Sequence, residues 1–172
     1  RVTCILCRTP VVIRHILQNR LQTWRQRGHI VPSSRFLVNR LICPLDYSKS
    51  LTIIQLGFGR GVITRALLSK LSPESRLTVI ELDPACQRYC PNDDRLTYIT
   101  GCATDPAHYA GGASPDIILS TLPLASLPQS ITRSILKTAA QSLASNGMFI
   151  QFQYSLLSRH LIEQIFNQPT TI

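Results

Sequence analysis

Gly57, Gly59 and Gly61 alternate directly after the apolar run Leu51-Thr-Ile-Ile-Gln-Leu56, and Glu81 closes a second such run, Leu77-Thr-Val-Ile-Glu81. Glycines at this spacing remove side chains where a backbone must turn tightly and come close to a ligand. A helix that starts there points its free N–H groups at the same spot. An acid at the end of the next strand, about twenty residues on, can accept bonds from ribose hydroxyls. A nucleotide or nucleoside is therefore expected between the glycine turn and Glu81. A phosphate loop would need Gly-Lys and then Ser or Thr, and none is present. A dinucleotide turn has the wider spacing G-x-G-x-x-G. The tighter G-x-G-x-G suits a small zwitterionic cofactor, with backbone against its aminoacyl end and Glu81 on its ribose.

These residues need a parallel sheet to place them. Strands are expected at residues 51–56, 77–81, 96–100, 116–120 and 148–154. Helices are expected from Arg35 to about Cys43, from Gly61 to Lys70 or Leu71, from Gln129 to Leu143, and from about Leu156 to Phe166. Asp83-Pro84 reads as a cap followed by a first-turn proline, and Asp105 starts another turn before Gly111-Gly112. Short strands alternating with helices predict an α/β fold of the Rossmann-like, doubly wound kind, mostly parallel, with helices on both faces.

A length of 172 residues fits one domain with a full core. The net charge of +9 suggests an anionic partner, either nucleic acid or lipid headgroups, or serves only solubility. No Asp or Glu precedes Asp46, whereas Arg1, Arg8, Arg14, Arg20, Arg25, Arg27, Arg35 and Arg40 all do. Residues 9–28 have helical spacing, with Ile13, Ile16, Leu17, Leu21 and Trp24 on one side and arginines on the other. That pattern fits a solvated basic helix packed on the domain, or an interfacial helix whose Trp side enters the headgroup zone of an anionic membrane. Ser33 and Ser34 read as helix caps or as ligands. No run approaches the eighteen apolar residues of a spanning helix, and the opening residues lack the features of a secretory signal. The start at Arg1 and the Thr-Thr-Ile end suggest part of a longer chain. Cys4 and Cys7 have metal-pair spacing without a second pair, so no metal site is expected, and the six cysteines fit a reduced, cytosolic protein.

Three stretches carry a resemblance: Gln55-Leu-Gly-Phe-Gly-Arg-Gly61, Val79-Ile-Glu-Leu-Asp-Pro84 and Asp116-Ile-Ile-Leu-Ser-Thr-Leu-Pro-Leu124. With them the chain resembles the class I S-adenosylmethionine-dependent methyltransferases. Ile30-Val-Pro-Ser-Ser-Arg35, Leu122-Pro-Leu-Ala-Ser-Leu-Pro128 and Phe149-Ile-Gln-Phe-Gln-Tyr154 make it look more narrowly like the bacterial phospholipid N-methyltransferases, relatives of the RNA adenine dimethylases. The resemblance implies S-adenosyl-L-methionine as cofactor, held by Gln55, Gly57, Phe58, Gly59, Gly61, Glu81, Leu82, Cys102, Ala103, Ser120 and Leu122. It implies residues 1–46 as a basic helical lid and 47–172 as the cofactor-binding domain. The strand pair that closes the family's sheet at its carboxyl end is missing from these residues, or the sheet edge is completed differently. It further implies a phospholipid substrate of the phosphatidylethanolamine kind, docking on an anionic membrane through residues 9–28, and a cytoplasmic protein on the membrane's inner face.

Tyr154, Tyr98 and His108 are the candidates for handling the acceptor's proton. Each also reads as an ordinary packing or surface residue. Gln55 stands where the family has Glu, Cys102 where it has an acid, and Phe58 and Arg60 where it has small or flexible residues. Ser120-Thr-Leu-Pro-Leu124 lacks the Asn and the aromatic with which the RNA enzymes hold a flipped adenine, which ranks RNA below lipid as acceptor. A non-catalytic lipid- or RNA-binding relative is the remaining alternative.

Overall fold

Strands that are apolar on both faces are stable only when both faces are covered, and the arrangement follows from that requirement. The computed structural model describes residues 2–6, 35–153, 158–166 and 169–171. In chain order the elements are β1 (Val2–Leu6), α1 (Arg35–Ile42), β2 (Thr52–Leu56), α2 (Val62–Leu68), β3 (Arg76–Glu81), β4 (Leu96–Thr100) and β5 (Ile117–Ser120). They continue with α3 (Gln129–Ser142), β6 (Met148–Gln153), α4 (Arg159–Ile165) and β7 (Pro169–Thr171). Short 3-10 turns at Pro84–Tyr89, Pro106–Tyr109 and Leu124–Ser126 link some of them. Asp83 and Asp105 cap the first two by accepting from the N–H of Ala85 and Ala107.

The sheet order is β4-β3-β2-β5-β6-β1-β7, and every pairing is parallel. Chain order reverses between β2 and β5, where Leu56 stands level with Ser120. Such a reversal opens a crevice at the carboxyl ends of the two strands, and the glycine turn follows β2 at that point. Alternate strand residues feed two cores. Ile53, Leu77, Val79, Leu119 and Ile150 pack with Val38 and Leu41 of α1 and Ile63 and Leu67 of α2. Ile54, Leu56, Ile80, Ile118 and Phe149 pack with Ile135, Leu136 and Ala139 of α3 and with Leu161 and Ile162 of α4. The doubly wound fold expected from the sequence is present.

At the far edge of the sheet the second of the two expected alternatives holds, and the edge is completed differently. Strand β1 lies parallel to β6 from Val2 opposite Phe149 to Leu6 opposite Gln153, and β7 adds to β1. β1 thus extends the sheet beyond β6, and β7 forms the edge. A five-residue apolar run carries no sign of which distant strand it will join, so the sequence did not reveal this. Residues 1–46 thus contribute β1 to the sheet and α1 to one core. The predicted interfacial helix at 9–28, Ser33, Ser34 and Cys7 lie outside the described residues.

Arg95 ties the start of β4 to the end of α2. Its Nη1 donates to the Leu71 carbonyl at 2.6 Å and its Nη2 to that of Leu68 at 2.9 Å. Asp93 accepts from Arg95 Nε at 2.9 Å and Nη2 at 2.7 Å. These side-chain bonds, ahead of the Arg95 backbone N–H, hold the Asp93 carboxyl down at about 2. An acid with a depressed folded-state pKa contributes stability that is present above its unfolded value, about 3.9, and lost as pH falls through the folded value. Asp93→Asn is therefore expected to lower the urea midpoint at neutral pH. It should also shrink the loss of stability between about pH 4 and about pH 2, as measured by urea unfolding across that range.

Candidate active site

All three glycines of the turn have positive φ: 85° at Gly57, 57° at Gly59 and 71° at Gly61. The first is fastened from every side. Its N–H donates to the Ile80 carbonyl at 2.9 Å, and its carbonyl accepts from Gln55 Nε2 at 2.7 Å and Thr121 Oγ1 at 3.2 Å. A Cβ at Gly57 would lie 2.8 Å from Thr121 Oγ1, and one at Gly61 would lie 2.7 Å from Phe58 Cζ. At Gly59 a Cβ would meet nothing within 4 Å. Two of the glycines make room for the protein itself; Gly59 borders space that the described residues do not fill.

Glu81, half-buried at the end of β3, faces that turn. Its Oε2 accepts from the N–H of Phe58 at 2.7 Å and of Gly59 at 3.1 Å, and its Oε1 from the N–H of Asp83 at 3.0 Å. The acid thereby shapes the turn; three of its roughly four lone-pair sites are taken, which leaves Oε1 open to one further donor. Gly101 N–H donates to the Glu81 carbonyl at 2.8 Å, which brings the connection after β4 alongside. On that connection Cys102 is exposed and Ala103 is buried, and Leu82 beside Glu81 is 70% exposed. An open glycine turn, an acid with acceptor capacity and an exposed leucine beside them fit the nucleoside part of the expected cofactor.

Some predicted contacts are used inside the protein. Gln55 is fully buried on β2; its Nε2 bonds Gly57 and its Oε1 accepts from Thr64 Oγ1 at 2.8 Å. It braces the turn against α2 rather than reaching a ligand's ammonium. The Phe58 ring is 5% exposed and meets Tyr98 edge-on at 5.2 Å, so it neither stacks on a ligand nor fills the crevice. Ser120 is fully buried, with its Oγ accepting from the Leu122 N–H at 3.4 Å. Leu122 lies against Gly57.

Of the proton-handling candidates, Tyr154 lies outside the described residues. Tyr98 stands level with Val79, two residues before the end of β4. Its hydroxyl is buried with no hydrogen-bond partner among the described residues. Burial first, then the charge of Glu81, push its phenol above the ordinary range, so at neutral pH Tyr98 can donate a hydrogen bond but does not serve as a base. His108 lies over Gly101, donates from Nδ1 to the Cys102 carbonyl at 2.9 Å, and has Asp105 3.8 Å from Nε2. It forms part of the wall at Gly101–Ala103.

Two residues have bracing roles that the sequence did not assign to them. Thr121 Oγ1 donates to the carbonyls of Leu56 and Gly57, underpinning the turn from β5. Gln151, level with Ser120 on β6, is fully buried and donates through Nε2 to the carbonyls of Leu122 and Phe152. Its Oε1 has no partner among the described residues. A polar residue inside the apolar run Phe149-Ile-Gln-Phe152 was the available signal, because buried amides are normally fully bonded.

No family model matches the chain. Over 129 residues it is 26% identical to the ornithine lipid N-methyltransferase of Singulisphaera acidiphila, covering 71% of this chain and 67% of that protein. Among solved structures, a precorrin 8w decarboxylase from Methanobacterium thermoautotrophicum superposes with a TM-score of 0.64 at 16% identity, covering 80% of this chain and 73% of the other. The N-methyltransferase NodS from Bradyrhizobium japonicum gives 0.53 at 22% identity, covering 78% and 70%. The chain has the class I S-adenosylmethionine-dependent methyltransferase fold. This is the fold that the sequence resemblance implied. A putative rRNA methylase from Clostridium thermocellum shares the fold as well, at TM-score 0.58 and 15% identity over 79% of each chain. Fold alone therefore does not select the acceptor.

Proposed function

We propose that the chain is an S-adenosylmethionine-dependent N-methyltransferase acting on a phospholipid headgroup amine at a membrane surface. The observation that carries the donor half is the pairing of Glu81 with an open glycine turn at the sheet's reversal. Similarity to an ornithine lipid N-methyltransferase supports a lipid amine as the acceptor. The bound donor supplies a methyl group already activated on a sulfonium. Catalysis is then a matter of holding the amine in line with that methyl group and excluding water.

In this reading the open site on Glu81 Oε1 accepts from a ribose hydroxyl while Oε2 holds Phe58 and Gly59 in place. Gly57, Gly59 and Gly61 keep the backbone bare, and Leu82, Cys102 and Ala103 line the base. Thr121 and Leu122 border the transfer point, and the free Oε1 of Gln151 offers an acceptor for an amine N–H beside Ser120. The amine must reach the methyl group as the neutral base; Tyr154 is the candidate to ease loss of its proton or to face the developing cation. Docking through residues 9–28 belongs to the same proposal. Among the described residues no helix is long and apolar enough to cross a membrane, so surface attachment is the mode proposed.

Labelled-methyl transfer tests it, with vesicles of phosphatidylethanolamine, vesicles of an ornithine lipid, and RNA offered side by side. Label in either lipid amine is the expected result. Label in RNA would replace the acceptor, and donor binding without any transfer would make the chain a non-catalytic relative.

A further inference from the structure

Outside the crevice, three guanidinium groups gather on one tyrosine. Arg60, the variable residue between Gly59 and Gly61, places its Cζ 5.9 Å from the centre of the Tyr89 ring. Arg88, from the turn after β3, places its own at 4.7 Å. Arg65 of α2 staples the two segments together, donating from Nη2 to the Arg60 carbonyl at 2.6 Å and from Nη1 to the Tyr89 carbonyl at 3.2 Å. All three arginines are exposed and Tyr89 is half-buried. No carboxylate lies within ion-pair distance of any of them among the described residues. The neighbouring acids are engaged elsewhere, Glu81 on the turn's N–H groups and Asp83 on that of Ala85.

Three like charges held close, with no internal counterion, form a surface complementary to anions. Guanidinium forks match phosphate oxygens in geometry, and their stacking on an aromatic ring fixes them in advance. A tyrosine flanked by arginines is also suited to headgroup level, where its ring sits between apolar and polar layers. Because Arg60 belongs to the glycine turn, the cluster borders the mouth of the crevice. We infer that Arg60, Arg65 and Arg88 around Tyr89 form an anion-binding surface that seats this edge of the protein on the phosphates of an anionic lipid membrane. The proposed lipid-amine function enters only in the choice of lipid over other polyanions.

Flotation of the full chain tests this, with vesicles of phosphatidylcholine alone and with vesicles also containing phosphatidylglycerol. At about 1 kcal/mol for each basic residue near an anionic surface, Arg60→Gln with Arg88→Gln is expected to cut partitioning onto the anionic vesicles about thirtyfold. Neutral vesicles should show little change. The pair Arg60→Lys with Arg88→Lys keeps the charge and should stay within about threefold of the unmodified chain. Unchanged partitioning of the Gln pair would overturn the inference, as would an equal fall on neutral vesicles. Loss of RNA binding with vesicle binding intact would assign the surface to nucleic acid instead. Transfer activity is scored separately. Arginine-dependent partitioning without methylation of any lipid would reject only the proposed function, whereas lipid methylation with arginine-independent partitioning would reject only the docking surface.

Discussion

Glu81→Ala is expected to weaken binding of S-adenosylmethionine about a hundred- to a thousandfold in titration calorimetry. A hydrogen bond to a charged acceptor contributes about 1.5–3 kcal/mol, about ten- to a hundredfold in affinity, and the rest of the loss comes from the loosened turn. The same substitution frees the N–H groups of Phe58 and Gly59, so the turn loses its anchor as well as its ligand contact. Glu81→Gln should rescue little. Both carboxylate oxygens already accept N–H groups, and an amide NH2 would set a donor against one of them. Affinity close to that of the unmodified chain in Glu81→Ala would reject this carboxylate as the ribose partner.

The glycine turn yields the second large effect, because its glycines serve different purposes. Gly61→Ala drives a Cβ to 2.7 Å from Phe58 Cζ at a φ of 71°, and the ring cannot retreat, being buried against Tyr98. Overpacking together with a left-handed backbone costs about 2–4 kcal/mol, so the melting temperature should fall by roughly 6–12 °C. Gly59→Ala meets no atom and should cost about 1 kcal/mol for its backbone alone, with a melting shift of roughly 3 °C. Its effect should appear instead in cofactor affinity, lowered more than tenfold, because its methyl group enters the space the ligand would take. Normal cofactor binding by Gly59→Ala would contradict the placement of the ligand against this turn.

Much of the site was legible in order along the chain. The turn at Gly57–Gly61, the acid at Glu81 and the caps at Asp83 and Asp105 are local patterns, and local sterics and hydrogen bonding decide them within a few residues. Gln55, Phe58 and Arg60 were legible only as departures from a family pattern. Their roles depended on neighbours nine or more positions away: Thr64 for Gln55, Tyr98 for Phe58, and Tyr89 for Arg60. Tyr98 illustrates the same limit. Its strand was predicted, but its height along β4 and its burial under the turn follow from register with β3.

By itself the sequence determined the alternation of strands and helices, and from that a parallel sheet covered on both faces, because the hydrophobic period of each segment states which faces must be buried. It also determined the tight glycine turn, since only glycine takes three positive φ angles in five residues without strain. Only the tertiary structure decided that β1 would insert between β6 and β7, that Glu81 would hold the turn as well as face the crevice, and that three arginines would meet on Tyr89. Each of these joins residues distant in sequence through pairing or packing, and no local pattern records which remote surface a segment will find.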